Sequence, residues 1–570
     1  MILEKNHHIH WLEEILEKIE NRNQDIITLA TGKTPSGHIH VGILREIIIC
    51  DALRRKLQEK GKNVRFFLFI DSLDAAKRFP DYIDQEFQDK HIGKPFNLIP
   101  CPFDDCNCES YAHHFGNELI STFEDFGIKN EIIWTHELYK TKEMKKRIKI
   151  ALKNVDKIKE ILKKYILPTL DDEKKIQFLE MQKKWMPVMA ICRKCKKIQT
   201  RKKDGSIIPN RIDTYNDEDE TIRYKCPVCG NEETVSIYEG DLKLNWRIDW
   251  PAKWDIYKTT CEPAGKDHCV KGGSYDTGLE ICQKIYNYKG PIKVSYEWLR
   301  LGERDMKTSK GIVFTPKKYL EIADPEIFRM LILRTNPMKH ISFRIEEFPQ
   351  YYTYFEKMEN IFYSIEKPDS KEEGKFFNYL YPLVNTDEVS EKKPIRIPLN
   401  LLIFLSQIQN ILSLDKLYNK AKEEIGNTNF EESISKSDFE YILIRTNNWI
   451  DEIKKIIEET KDPKVKRNIQ RKITIFSIPE KVNKDLKQEL TLNQRHGIKL
   501  LRSFLIKNKN LTADKIQNKI FKIAKEELKI SPKKMFQAVY KIILGKKFGP
   551  RLGPFLKILD DEWLLNRLDI

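Results

Sequence analysis

Long hydrophobic runs are missing from this sequence. The longest, such as Leu401–Leu405, fall far short of the ~20 apolar residues that a membrane span needs. The start, Met1 to His8, lacks the apolar region of a secretory signal. A soluble, cytoplasmic protein with no membrane partner is therefore expected. Acidic charge is also in short supply: 85 Asp and Glu face 101 Lys and Arg, a formal net charge of +16. That excess suits a polyanionic partner held through counterion release. A lysine-rich, AT-biased genome produces the same excess, so charge alone names no partner. No internal repeat is visible, which argues against a solenoid. Stable disulfides are not expected inside the cell, and Cys50, Cys261, Cys269 and Cys282 stand singly, as core or incidental thiols.

What is present begins with an ordinary globular composition, 40% hydrophobic and 33% charged. At roughly 100–200 residues per domain, 570 residues predict about three to five domains. The chain is organised around Thr31 to Gly42. An apolar run, Asp25 to Ala30, reads as a buried strand, and Leu44, Ile47, Ile48, Leu53 and Leu57 recur at helical spacing after it. Between them Gly32, Gly37 and Gly42 allow close backbone approach, and the helix start offers unpaired N–H groups. Strand, glycine-rich turn and helix together suit a phosphate.

Further along, Asn63 to Asp71 reads as a second buried strand, placing Asp71 and Asp74 at its carboxyl end, where open α/β sheets put ligand contacts. A solvated loop is the rival reading. Cys101, Cys106, Cys108 and one of His113 and His114 can form a Cys₃His zinc set, or stand as reduced thiols beside a helix. Glu131 to Thr135 reads as a strand and Lys140 to Ile166 as a basic amphipathic helix. Cys192-x-x-Cys195 and Cys226-x-x-Cys229, about thirty residues apart, read as a zinc ribbon whose four thiolates close the coordination sphere, so that this zinc folds a small domain and does not catalyse. Asn245 to Trp254 reads as sheet. Its three tryptophans form either core or the walls of a pocket that holds a cation on aromatic faces, with Asp249 as counter-charge. The glycine-rich turn from Asp267 and His268 through Gly272, Gly273 and Asp276, set before a helix, is a second candidate ligand-binding turn. Ile292 to Leu299 is strand-like. From about Pro349 the chain turns helical, with Glu366 to Gly374 as a linker or long loop. Amphipathic segments then recur at Leu401–Leu412, Tyr441–Glu459 and from Ser531-Pro532 to a stop at Gly545.

Two motifs carry a resemblance. Pro35-x-Gly37-x-x-His40-x-Gly42 resembles the HIGH signature of class I aminoacyl-tRNA synthetases, whose imidazoles contact ATP phosphates. Gly302 to Gly311, GERDMKTSKG, resembles their KMSKS loop and follows it in the order that fold requires. With Arg45-Glu46, the segments W-R-I-D-W-P-x-x-W, E-P-x-G-K-D-H and G-G-S-x-D-T-G look like the class I lysyl-tRNA synthetases, over Thr31 to about Asn336. Two departures stand out: Ile43 stands for the last His of HIGH, and against the longer K-M-S-S-S-K-G form of the loop Asp305 replaces the first Lys, whereas against the plain five-residue form Lys307 takes the first place and nothing is missing.

The resemblance implies an α/β architecture in which a Rossmann-type parallel sheet catalytic domain is split by a zinc-bearing insertion and followed by an all-α C-terminal anticodon-binding domain. The expected divisions are 1–95 and 241–300 for the two catalytic halves, and 96–240 for the insertion with its ribbon at about 188–235. Residues 301–348 would carry the KMSKS loop and 349–570 the helical domain, ending in a family-like segment around Arg551. The reaction implied is ATP-dependent attachment of L-lysine to tRNA(Lys) through an adenylate and then the 2′-hydroxyl, with Mg2+ and Zn2+ as cofactors and no DNA partner. His40 and Lys310 would be catalytic. ATP would meet Pro35, Ser36, Gly37, His38, His40 and Gly42, then Asp267, His268, Gly272, Gly273 and Asp276, and finally Lys307, Ser309 and Lys310. Lysine would meet Gly32, Thr34, Trp246, Trp250 and His268, with Asp249, Glu46 or Asp276 left open as the carboxylate for its ammonium. The resemblance favours His114 as the fourth ligand of the first cysteine cluster. The rival functions are a class I enzyme for glutamate or cysteine and a non-catalytic zinc-ribbon tRNA-binding protein.

Overall fold

Strands β1 (Ile26–Lys33), β2 (Asn63–Ile70), β3 (Glu131–Trp134), β4 (Cys261–Gly265) and β5 (Ile292–Tyr296) form one parallel sheet in the order β5-β4-β1-β2-β3. Phe66 to Ile70 are buried on both alternating faces, as strands covered by helices on each side must be. Helix α1 (Leu44–Glu59) connects β1 to β2, and the five apolar positions that predicted it are all fully buried. Chain order reverses between β1 and β4, so a crevice opens at the carboxyl ends of those strands.

The computed structural model describes residues 8–201, 207–239, 241–302, 304–305, 314–481 and 489–569. They divide into two compact units: Met1–Leu320 with Asp324–Arg344 and Phe355–Val389, and Glu321–Ala323 with Ile345–Tyr354 and Ser390–Ile570. The first contains the sheet. Between β3 and β4 it also carries helices and small antiparallel ribbons, among them the three strands 212–216, 221–225 and 232–236. The second unit is helical from Leu399 to Arg567 around one core that includes Leu405, Phe439, Leu501, Met535, Val539 and Phe555. Its helix Pro532–Leu544 begins at Ser531 and ends at Gly545, whose φ of 67° supplies the left-handed stop. Among the described residues no helix is long and apolar enough to cross a membrane.

Three local readings are corrected. Lys140 to Ile166 forms two helices, Lys142–Lys153 and Val155–Ile166, broken at Asn154, whose side chain bonds back to the Ile150 carbonyl at 2.9 Å. The tryptophan-rich segment is helix α2 (Trp246–Tyr257), not sheet. Asn245 caps it by accepting from Arg247 N, and an i,i+4 spacing of tryptophans serves a helix as well as a strand. The stretch expected as a linker includes the start of helix Lys371–Val384, capped by Ser370.

Candidate active site

A cavity of about 710 Å³ lies at the carboxyl ends of β1 and β4. Gly32, Thr34, His40, Gly42, Trp246, Asp249, Trp250, Asp267 and His268 all line it, so the structure brings these predicted residues together. Others are placed elsewhere. Ser36 faces an adjoining hollow of about 440 Å³ that shares Thr34, Asp74, Lys77 and Trp246 with the cavity. Pro35 is buried. Gly37 sits at φ 151°, and a Cβ there would come within 2.6 Å of Pro80. His38 is turned to Glu118, with Nδ1 2.8 Å from Oε2. Gly272, Gly273 and Asp276 do not line the cavity: Asp276 accepts from Gly272 N at 2.9 Å and pairs with Lys293 at 2.8 Å, so that turn satisfies itself. Lys307, Ser309 and Lys310 lie outside the described residues.

His40 caps the single turn Val41–Ile43 that opens α1, its Nδ1 accepting from Gly42 N at 3.2 Å. With Nδ1 occupied as an acceptor, the proton belongs on Nε2. Burial, and then the Lys33 ammonium, pull its pKa down to about 4. His40 is thus a neutral imidazole at physiological pH, offering an N–H. Lys33 lines the same cavity, and its pKa is lowered by burial.

The three carboxylates left open for the substrate ammonium separate clearly. Asp276 is engaged as described. Asp249 lines the cavity with protein cations beside it: its carboxylate lies 3.2 Å from both Lys243 and Lys253 and accepts the Tyr139 hydroxyl. Burial would raise its pKa, but the two lysines outweigh it and hold Asp249 at about 2. The same lysines take up Asp71 at 2.8 Å and Asp74 at 3.3 Å, so the two β2-end aspartates face the cavity already paired. Thr34 donates to Asp74 at 3.0 Å. Glu46 is different. It lines the cavity, is 6% exposed, and accepts a hydrogen bond from the Tyr296 hydroxyl, not from a cation. Burial pushes its pKa up to about 8 against the Tyr296 bond.

Sequence reasoning gave no role to Glu262, Tyr296 or the two buried lysines. Glu262 lines the cavity with each carboxylate oxygen capped by an indole: Trp250 Nε1 at 2.8 Å and Trp254 Nε1 at 2.6 Å. The one available signal was its place in E-P-x-G-K-D-H. His268, at the end of that motif, is held by Ser274 at 2.8 Å and lies edge-on to Trp250, their centroids 5.6 Å apart.

The cysteines fit metal chemistry. Among the described residues, Cys192, Cys195, Cys226 and Cys229 converge within 4.8 Å, with Sγ–Sγ distances of 3.6 Å for both Cys192–Cys229 and Cys195–Cys226. Two sulfurs on one tetrahedral zinc at ~2.3 Å stand about 3.8 Å apart, so the match is close. Both knuckles fold alike. Lys196 N bonds to Cys192 O and Gly230 N to Cys226 O, and each of these donors has positive φ. In the other cluster, Cys101 and Cys106 lie 3.6 and 3.2 Å from His114 Nδ1. His113 instead bonds Ser110 and packs on Trp134. Cys108 is 3.9 Å from His114 but only 2.9 Å from Cys106, tighter than two ligands of one zinc, so its place in the set is the weakest.

Comparison with known proteins decides the family. Residues 9–385 match the model described as "tRNA synthetases class I (K)". The chain belongs to the class I lysyl-tRNA synthetases. It is 36% identical to the lysine–tRNA ligase of Methanocaldococcus jannaschii, covering 99% of this chain and 100% of that protein, and 33% identical to the one from Methanococcus maripaludis over 99% and 100%. Residues 450–570 match an anticodon binding domain. A solved glutamate tRNA ligase from Elizabethkingia meningosepticum aligns over 95% of this synthetase and 98% of its own chain, but with 12% identity and a TM-score of 0.41, too low to carry weight.

Proposed function

We infer that this chain is a lysine–tRNA ligase that forms lysyl-adenylate and passes the lysyl group to tRNA(Lys). The observation that carries the reading is that one cavity presents both the His40 imidazole at a helix start and Glu46, a buried carboxylate held only by neutral donors. One suits a nucleotide phosphate and the other an ammonium.

In the first step a carboxylate oxygen of lysine attacks the α-phosphorus of ATP, the bond to the bridging oxygen breaks, and pyrophosphate leaves with the electron pair. Charge grows on the phosphoryl oxygens, and a fixed donor aimed at such an oxygen is typically worth a few kcal/mol in the transition state. His40 Nε2–H is such a donor, with Lys33 as a cation on β1 and Lys310 as the cation contributed by the KMSKS motif. Glu46 and Tyr296 receive the side-chain ammonium, while Trp250, Trp246 and His268 wall the subsite. In the second step the 2′-hydroxyl oxygen of the terminal adenosine attacks the lysyl carbonyl. AMP departs with the electron pair, and the hydroxyl proton leaves to the phosphate or solvent.

Mg2+ would neutralise part of the triphosphate charge and would enter bound to it. Zn2+ would be held by Cys192, Cys195, Cys226 and Cys229 as a closed structural site, and less completely by Cys101, Cys106, Cys108 and His114. The helical second unit would read the anticodon, and such an enzyme works in the cytoplasm. Charging total tRNA with radiolabelled lysine and identifying the acceptor tests the reading. Lysine-dependent labelling of tRNA(Lys) supports it, and ATP–pyrophosphate exchange driven by glutamate or cysteine instead would overturn it.

A further inference from the structure

Glu262 is a buried acid that the reaction scheme does not use. It is 4% exposed, lines the same cavity as Glu46 and Trp250, and makes no ion pair among the described residues. Lys253, the nearby cation, is already shared by Asp71 and Asp249. Burial pushes the Glu262 pKa up to about 7, against two indole N–H groups that donate to its oxygens and favour the anion. Of the two donors, Trp254 is wholly buried and Trp250 forms a cavity wall. Trp250 is thereby fixed between Trp254, at 5.1 Å between centroids, and His268, at 5.6 Å.

We propose that Glu262 is a specificity-determining positioning residue of the lysine subsite. Through its indole bond it sets the plane of Trp250, and as an acid with no ion pair among the described residues it makes the subsite select a cationic side chain over a neutral one of the same shape. This deepens the lysine–tRNA ligase reading and rests on it. Glu46 touches the ammonium, whereas Glu262 acts from behind the aromatic wall. Burial raises Glu46 to about 8 and Glu262 to about 7, so the empty subsite holds protons that the substrate ammonium displaces. A neutral isostere such as norleucine offers the two acids no cation, and sites with buried groups left unpaired discriminate strongly.

The test compares wild type, Glu262→Gln and Glu262→Asp in the full-length enzyme. It follows lysine-dependent ATP–pyrophosphate exchange, norleucine competition against lysine, and ATP binding. Glu262→Gln keeps the length and loses the charge together with one of the two indole acceptors. Its KM for lysine should rise about tenfold or more, and its preference for lysine over norleucine should fall by a similar factor, while ATP affinity and kcat stay near wild type. Glu262→Asp keeps the charge and should retain most of the preference even where shortening weakens binding. A Glu262→Gln enzyme with the wild-type lysine-to-norleucine ratio overturns the proposal. So does a Glu262→Asp enzyme that loses the ratio as completely as Glu262→Gln, because shape alone would then account for the effect. A wild-type enzyme that shows no exchange with lysine would overturn the ligase reading itself, a separate and distinguishable result.

Discussion

The Tyr296 hydroxyl donates to the Glu46 carboxylate inside the cavity, and one residue away on each element Arg45 donates to the Glu297 carbonyl at 2.5 Å. Consecutive residues of α1 therefore grip consecutive residues at the end of β5. Arg45 also bonds the carbonyls of Pro337 and Lys339, both at 2.8 Å, which ties a third segment to the same edge of the site.

The Glu46–Tyr296 pair sets a pH dependence. Glu46 is raised to about 8 by burial, against the Tyr296 bond; Glu262 pushes the same way as burial, while Lys33 and the Gly32 N–H pull down. An ammonium requires the ionised acid, so lysine binding releases a proton below that pKa. The KM for lysine should fall as pH rises from 6 to 8. In Tyr296→Phe the anion loses a donor, and the same fall should occur at higher pH. Exchange kinetics across that range check it, and a profile that Tyr296→Phe leaves in place counts against the pairing.

Asp51 carries the stability of the α1 side of the sheet. Its carboxylate, fully buried, meets Arg329 at 2.8 Å, Arg55 at 2.9 Å and Arg54 at 2.6 Å. Burial alone would raise its pKa, but the three arginines lower it. A depressed carboxyl contributes stability above its unfolded pKa of about 4 and loses it as pH falls through the folded value. Asp51→Asn strands the buried guanidinium of Arg329 and should cost about 3–5 kcal/mol. Denaturant melts at pH 7 measure that loss, and the gap between variant and wild type should narrow in acid.

Removing the ribbon metal should unfold a small region without touching the chemistry directly. A strong chelator should lower the melting temperature, and Cys195→Ser should do the same without added chelator, because a structural zinc contributes folding energy outright. Calorimetry with metal analysis reads both. An unchanged melting curve after complete zinc removal would refute the structural role.

Lys310→Ala should abolish lysine-dependent ATP–pyrophosphate exchange while ATP still binds, because its ammonium is needed chiefly when charge builds on the leaving pyrophosphate. Near-normal exchange would remove the KMSKS loop from the scheme.

Phe548 is 75% exposed, with Lys546 and Lys547 before it and the exposed Arg551 after it. An open aromatic among cations is suited to stacking on an unpaired base, worth about 1–3 kcal/mol. Phe548→Ala should raise the KM for tRNA roughly tenfold or more and leave tRNA-independent exchange unchanged. Equal tRNA kinetics in the variant would exclude that contact.

Much of this protein is legible along the chain. Continuous apolar runs and helical spacing gave β1, β2 and α1, because those patterns depend on neighbours a few residues away. The cysteine knuckles are local for the same reason: each is a short turn whose spacing fixes both thiols. Helix α2 was misread because four-residue tryptophan spacing fits either structure, and Asn245 as a cap was the overlooked sign.

The sequence by itself determined the strand–turn–helix, the cysteine pairs and the order of the two signature motifs. Only the tertiary structure decided which of three acids are paired with lysines of the protein. Asp249, Asp276 and Glu46 are equivalent as letters. Lys243 and Lys253 neutralise the first and Lys293 the second, whereas Tyr296, brought from 250 residues away, leaves the third without a cationic hydrogen-bond partner. Charge compensation in a buried site is a property of long-range neighbours, and those neighbours exist only once the sheet has closed.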